Sequence, residues 1–176
     1  MDQASVENAL TISPATDVIY VWPEPNKLNI YTGGPLKCET KYQINLAETA
    51  VDLDGVELGE PFEFSFETAP VELESTSPQS GEIFVSRNRE IRMRFNTYMI
   101  KSSVQSAFQI SPHVNGSFIR GYTSRDGEPK DVITFIPSTN YAPNTKYTVT
   151  IGTGAYDLHG TNLGEPYTFS FVTEPE

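Results

Sequence analysis

Two histidines, one cysteine, one tryptophan and a few closely spaced aspartates are the residues here with chemistry to offer. Covalent or hydrolytic catalysis needs a nucleophile, a base and a group that orients the base, or else a metal cluster. His113 and His159 have no such company in the sequence. His159 lies in Asp157-Leu158-His159-Gly160, which matches Asp52-Leu53-Asp54-Gly55 at three of four positions. Glycine for positive φ and aspartate for local backbone hydrogen bonds make both runs turns. Asp52, Asp54 and Asp157 are the carboxylates that could contribute to a calcium site. The dense oxygen spacing of a calcium loop is missing, however, and His159 stands where the other run has Asp54. No metal or cofactor is expected. Trp22, with Tyr20 and Tyr31 nearby, could form an aromatic platform for a sugar ring. Trp22-Pro23-Glu24-Pro25 reads more simply as a strand end entering a rigid loop, with the indole partly covering the core. Cys38 cannot form a disulfide within the chain and reads as a small half-buried residue. Asn115-Gly116-Ser117 fits a glycosylation sequon and also marks a turn.

The elements that carry these residues follow from composition and pattern. The 176 residues have a formal charge of −11, which repels phosphate backbones and argues against nucleic-acid binding. No apolar run approaches the roughly 20 residues that span a bilayer, so membrane insertion is not expected. Met1-Asp2-Gln3-Ala4-Ser5 has neither the basic start nor the apolar stretch of a secretory signal, so any export signal is expected upstream or already removed.

An internal repeat organises the chain. Residues 41–70 align without a gap on residues 146–175, with fifteen of thirty positions identical. Met1 to Pro14 aligns on Met99 to Pro112, with seven of fourteen identical. The registers of the two blocks differ by seven residues, and Thr123 to Pro129, a run of turn formers, is expected to be the longer surface loop that absorbs them. Both copies close on Thr-x-Pro, which puts a linker near Ala69 to Glu74 and divides the chain into 1–70 and 71–176. About 25 residues precede Met99 in the second copy and have no counterpart in the first.

Within the second copy, Ile91, Met93 and Phe95 alternate with Glu90, Arg92 and Arg94, the mark of a strand with one buried face. Ile133 and Phe135, then Tyr147, Val149 and Ile151, then Tyr167, Phe169 and Phe171 repeat the pattern at short intervals, as in a sandwich or barrel. Helical periodicity is confined to Ser102 to Phe108. Tyr141, Pro143, Thr145, Tyr147 and Val149 at every second position resemble the tyrosine corner of Ig-like sandwiches. The hydroxyl of Tyr147 should then bond to backbone near Tyr141, and that of Tyr42 to backbone near Leu36.

Ser77-Pro78, Gly81, Phe95, Met99, Ser103-Val104, Ile110-Ser111-Pro112, Pro143, Thr145, Tyr147, Asp157, Gly160 and Phe169-Ser170-Phe171-Val172-Thr173 follow in the order of a known pattern. On these residues the chain resembles the bacterial Ig-like domain family of S-layer and other large surface proteins. The resemblance covers the second copy end to end and the first only from Met1. It implies an all-β fold of two tandem Ig-like β-sandwich modules, the first lacking its N-terminal strands, in an extracellular or cell-surface setting. It implies no enzymatic activity, because function on such scaffolds resides in grafted sites or neighbouring domains. The expected role is a structural spacer whose partners are neighbouring modules of a larger protein. Self-association through the open edge of the first module is a further expectation. Alternatives are a binding module for cell-wall glycan or a protein ligand, and a scaffold segment of a macroglobulin-like protein.

Overall fold

A computed structural model describes residues 1–125 and 128–176. Strand far exceeds helix, and the chain is all-β. It divides into two compact units, Met1–Ala69 and Pro70–Glu176.

The first unit opens with a short helix, α1 (Gln3–Ala9). Asp2 caps it by accepting the Ser5 amide at 2.7 Å, and Val6 and Ala9, three apart, turn one stripe inward. Seven residues are too few to display a helical period alone, and the sequence pattern showed none here. Strands β1 (Leu10–Ser13), β2 (Val18–Glu24), β3 (Lys27–Thr32), β4 (Lys41–Leu46) and β5 (Phe62–Glu67) follow. They form an antiparallel sheet of order β1-β4-β5 and a separate hairpin β2-β3. Tyr42 lies opposite Phe66, Ile44 opposite Phe64 and Leu46 opposite Phe62, so alternation gathers these six side chains on one face of the sheet. The buried centre is small: Val6, Ala9 and Ala50, with Trp22, Leu28, Leu46 and Ala47 partly buried against them.

The second unit contains β6 (Leu73–Ser77), β7 (Ile91–Phe95), α2 (Lys101–Ala107), β8 (Phe108–Ser111), β9 (Gly116–Arg125), β10 (Glu128–Pro137), β11 (Lys146–Ile151) and β12 (Tyr167–Val172). Its two sheets have the orders β6-β7-β10-β9 and β12-β11-β8. Ile91, Met93, Phe95 and Ile133 from one sheet and Val149, Ile151, Phe169 and Phe171 from the other are almost wholly buried. Met99, Val104 and Tyr141 complete this core. Before β7, residues 81–85 run along the outer edge of β12. Gly81 and Val85 donate to the carbonyls of Ser170 and Val172, and Val172 and Glu174 donate to those of Glu82 and Val85.

The surface loop expected at Thr123 to Pro129 is replaced by strand. Arg125 pairs with Glu128 and Ser124 with Pro129, while Asp126 and Gly127 lie outside the described residues. The register set by buried Ile133 and Phe135 continues outward because ladder hydrogen bonds come from backbone groups that any residue except proline supplies in full. Gly116 likewise begins β9 instead of forming a turn. A Cβ there would lie 2.3 Å from the Phe135 ring, so the close approach of that ring excludes any side chain.

Both repeat tyrosines are buried and bonded to backbone. The Tyr147 hydroxyl accepts the Ala142 amide at 2.9 Å, and that of Tyr42 accepts the Lys37 amide at 3.1 Å. Tyr147→Phe keeps the ring and removes one hydrogen bond. It should cost about 0.5–1.5 kcal/mol, read as a lower urea midpoint at unchanged slope.

Candidate functional site

The polar side chains singled out from the sequence are largely engaged with the backbone. Asp52 Oδ1 accepts the amides of Asp54 and Val56, each at 2.9 Å. The Val56 amide, foremost, holds its carboxyl below the usual range. Asp54 itself is exposed. Asp157 is buried in the other unit, and its Oδ1 accepts the amides of His159 at 2.9 Å and Thr161 at 2.7 Å. Both aspartates therefore shape turns. Among the described residues no three His, Cys, Asp or Glu side chains converge as metal ligands. His113 is exposed and lies 3.1 Å from Asn115 Oδ1. Cys38 is buried and forms no disulfide.

The aromatic candidates divide between two faces of the hairpin. Tyr20 and Trp22, two apart on β2, share one side, and both are half-buried. Trp22 Nε1 donates to Glu7 Oε1 on α1 at 2.8 Å, which ties the hairpin to the helix. Tyr31 pairs opposite Ile19 and is exposed on the other side. Tyr20, Trp22 and Tyr31 thus present no common surface.

An ion pair that sequence reasoning missed lies in the second unit. Asp131, buried at the strand position opposite Phe95, pairs with Arg120: its Oδ2 accepts from Nη2 at 3.0 Å, and its Oδ1 lies 2.9 Å from Nε as an ion-pair contact. Its Oδ2 also accepts the Met99 amide at 2.8 Å, while Arg120 donates to the Met99 carbonyl. Burial pushes the Asp131 carboxyl above the usual carboxylate range, against the pull of the Met99 amide and Arg120. The one signal available beforehand was a carboxylate directly preceding the apolar run Val132-Ile133.

A model of the bacterial Ig-like domain matches residues 67–173. The chain belongs to the bacterial Ig-like domain family. Such domains occur in bacterial surface proteins. In this Ig-like domain the match covers nearly all of the second unit and leaves residues 1–66 outside it. An LD transpeptidase solved in complex with imipenem is similar at 19% identity over 58% of this chain, with a TM-score of 0.39. The similarity covers 39% of that enzyme's chain. No curated protein matches. In this Ig-like domain Asp131 and Arg120 grip both backbone polar groups of Met99, the residue that leads from β7 into α2. That arrangement fixes a chain crossing and leaves Asp131 directed at protein groups. No helix among the described residues is long and apolar enough to cross a membrane.

Proposed function

We propose that the chain is a non-catalytic structural spacer within a bacterial cell-surface or secreted multidomain protein. In this reading residues 1–70 are an Ig-like module short of its two opening strands, and residues 71–176 a complete one. The strand orders support the comparison. β1-β4-β5 corresponds to β8-β11-β12 through the repeat, and the hairpin β2-β3 to β9-β10, with nothing in the first unit corresponding to β6 and β7.

The observation that carries the spacer role is the pairing of residues 81–85 with β12. Val85 bridges to Thr173 in parallel, so the segment that follows β6 lies beside the end of the last strand and runs in the same direction. Once β6 is drawn off β7, tension applied at the two ends loads these four hydrogen bonds together, in shear, where an antiparallel pair pulled from one end would open one bond at a time. Pulling the full chain between its ends should give a discrete rupture of the second unit releasing on the order of 300–350 Å. Val85→Pro removes one of the four donors and should lower the rupture force without shortening the extension. Gradual extension with no rupture event would overturn the spacer reading. Retention on purified cell-wall glycan that is lost in Tyr31→Ala would favour the binding-module alternative instead.

A further inference from the structure

The two units use the same residues on the three-stranded sheet and bury them very differently. Phe169 is 2% exposed and its counterpart Phe64 is 50% exposed; Leu163 is 5% exposed and its counterpart Leu58 is 40%. Phe62, which aligns on half-buried Tyr167, is also open to solvent. In the second unit this face is covered by a sheet in which β7 occupies the edge of β10 and points Ile91, Met93 and Phe95 inward. In the first unit β3 pairs with β2 alone, so the edge that corresponds to the seat of β7 carries no strand among the described residues. A sheet edge with an adjoining apolar face is a template for strand addition.

Charge indicates what kind of strand. Residues 1–69 contain twelve Asp and Glu against three Lys, a formal −9 of the chain's −11. In the second unit the strand that fills the equivalent seat alternates its apolar residues with Arg92 and Arg94. A second copy would bring another −9 to the same edge and be repelled.

We propose that residues 1–69 bind, at the outer edge of β3, a separately supplied extended segment with large apolar residues at alternate positions and basic residues between them. Antiparallel addition sets two apolar residues of the segment opposite Leu28 and Ile30, the positions that align on Ile133 and Phe135, and lays them over Phe64. This rests on the reading of the first unit as an Ig-like module short of two strands.

The probe is a synthetic peptide of residues 88–97, added to the full chain and followed by deuterium exchange and Trp22 fluorescence. Exchange in residues 27–32 should slow at least tenfold. Replacing Ile91, Met93 and Phe95 of the peptide by serine should weaken binding at least tenfold, as should Phe64→Ser in the chain, and added salt should weaken the parent peptide. Protection at β10 without β3, equal binding by the serine peptide, or a concentration-dependent dimer indifferent to peptide would overturn the proposal. Exchange in β4 and β5 without peptide tests the module reading separately. Rapid exchange there sinks that reading, whereas slow exchange there with no peptide response at β3 sinks strand addition alone.

Discussion

Phe169→Ala should destabilise the second unit by about 3–5 kcal/mol, while Phe64→Ala, the same change at the aligned position, should cost the first unit about 1 kcal/mol or less. Phe169, on the outer strand β12, lies opposite Val149 of the central β11 and is almost wholly buried. Removing its ring leaves a cavity that close-packed neighbours fill only in part. Phe64 lies opposite Ile44 in the same register, but half of its surface already meets water. Its truncation gives up little burial and opens no enclosed void. Since a domain's net stability is about 5–15 kcal/mol, Phe169→Ala should remove a large share of the second unit's stability. The units can be read apart, because the single tryptophan, Trp22, reports on the first, and exchange of β11 and β12 amides reports on the second. Equal losses in the two variants would mean that Phe64 is covered in solution.

The contrast also shows what the sequence could carry. Alternation at Ile91-Met93-Phe95, Tyr147-Val149-Ile151 and Tyr167-Phe169-Phe171 specifies which face of each strand is apolar, and all three strands lie where that pattern put them. The pattern is local, and it holds as well in Phe62-Phe64-Phe66. Whether the face is then buried depends on strands elsewhere in the chain. Identical local signals therefore led to a buried phenylalanine in one unit and an open one in the other. The helix α1 was hidden because two inward residues, Val6 and Ala9, are too few to show a period. The aromatic candidates separated for a related reason: parity along β2 places Tyr20 with Trp22, but the hairpin register that sends Tyr31 to the opposite face depends on cross-strand pairing. The Asp131–Arg120 pair joins two strands eleven positions apart, and neither residue stands in a motif that announces the contact.

Asp131→Ala should cost the second unit about 3 kcal/mol at neutral pH, because it removes one partner of a buried ion pair and leaves the other uncompensated. Arg120 is partly exposed, so its guanidinium can recover some hydration, which sets the expected loss at the lower end for broken buried pairs. The Met99 amide also loses its acceptor, at a buried residue. The repeat places Asn26 and Trp22 at the corresponding positions of the first unit, so no ion pair of this kind is expected there, and Trp22 fluorescence should report an unchanged midpoint. The pH dependence gives a second check. Burial raises the Asp131 carboxyl in the folded state, so the fold binds this proton more tightly than the unfolded chain does. Stability tied to the group is then fully present below the unfolded value of about 3.9 and declines as pH rises through the raised folded value. Asp131→Asn keeps an oxygen that can accept the Met99 amide and cannot ionise. Its stability should therefore improve relative to the parent as pH rises from about 4, a slope opposite to that of an exposed salt-bridged aspartate. Urea midpoints of the two proteins measured across this range would show it, and a gap that widens in the parent's favour with rising pH would mean that the pull of Arg120 outweighs the cost of burial.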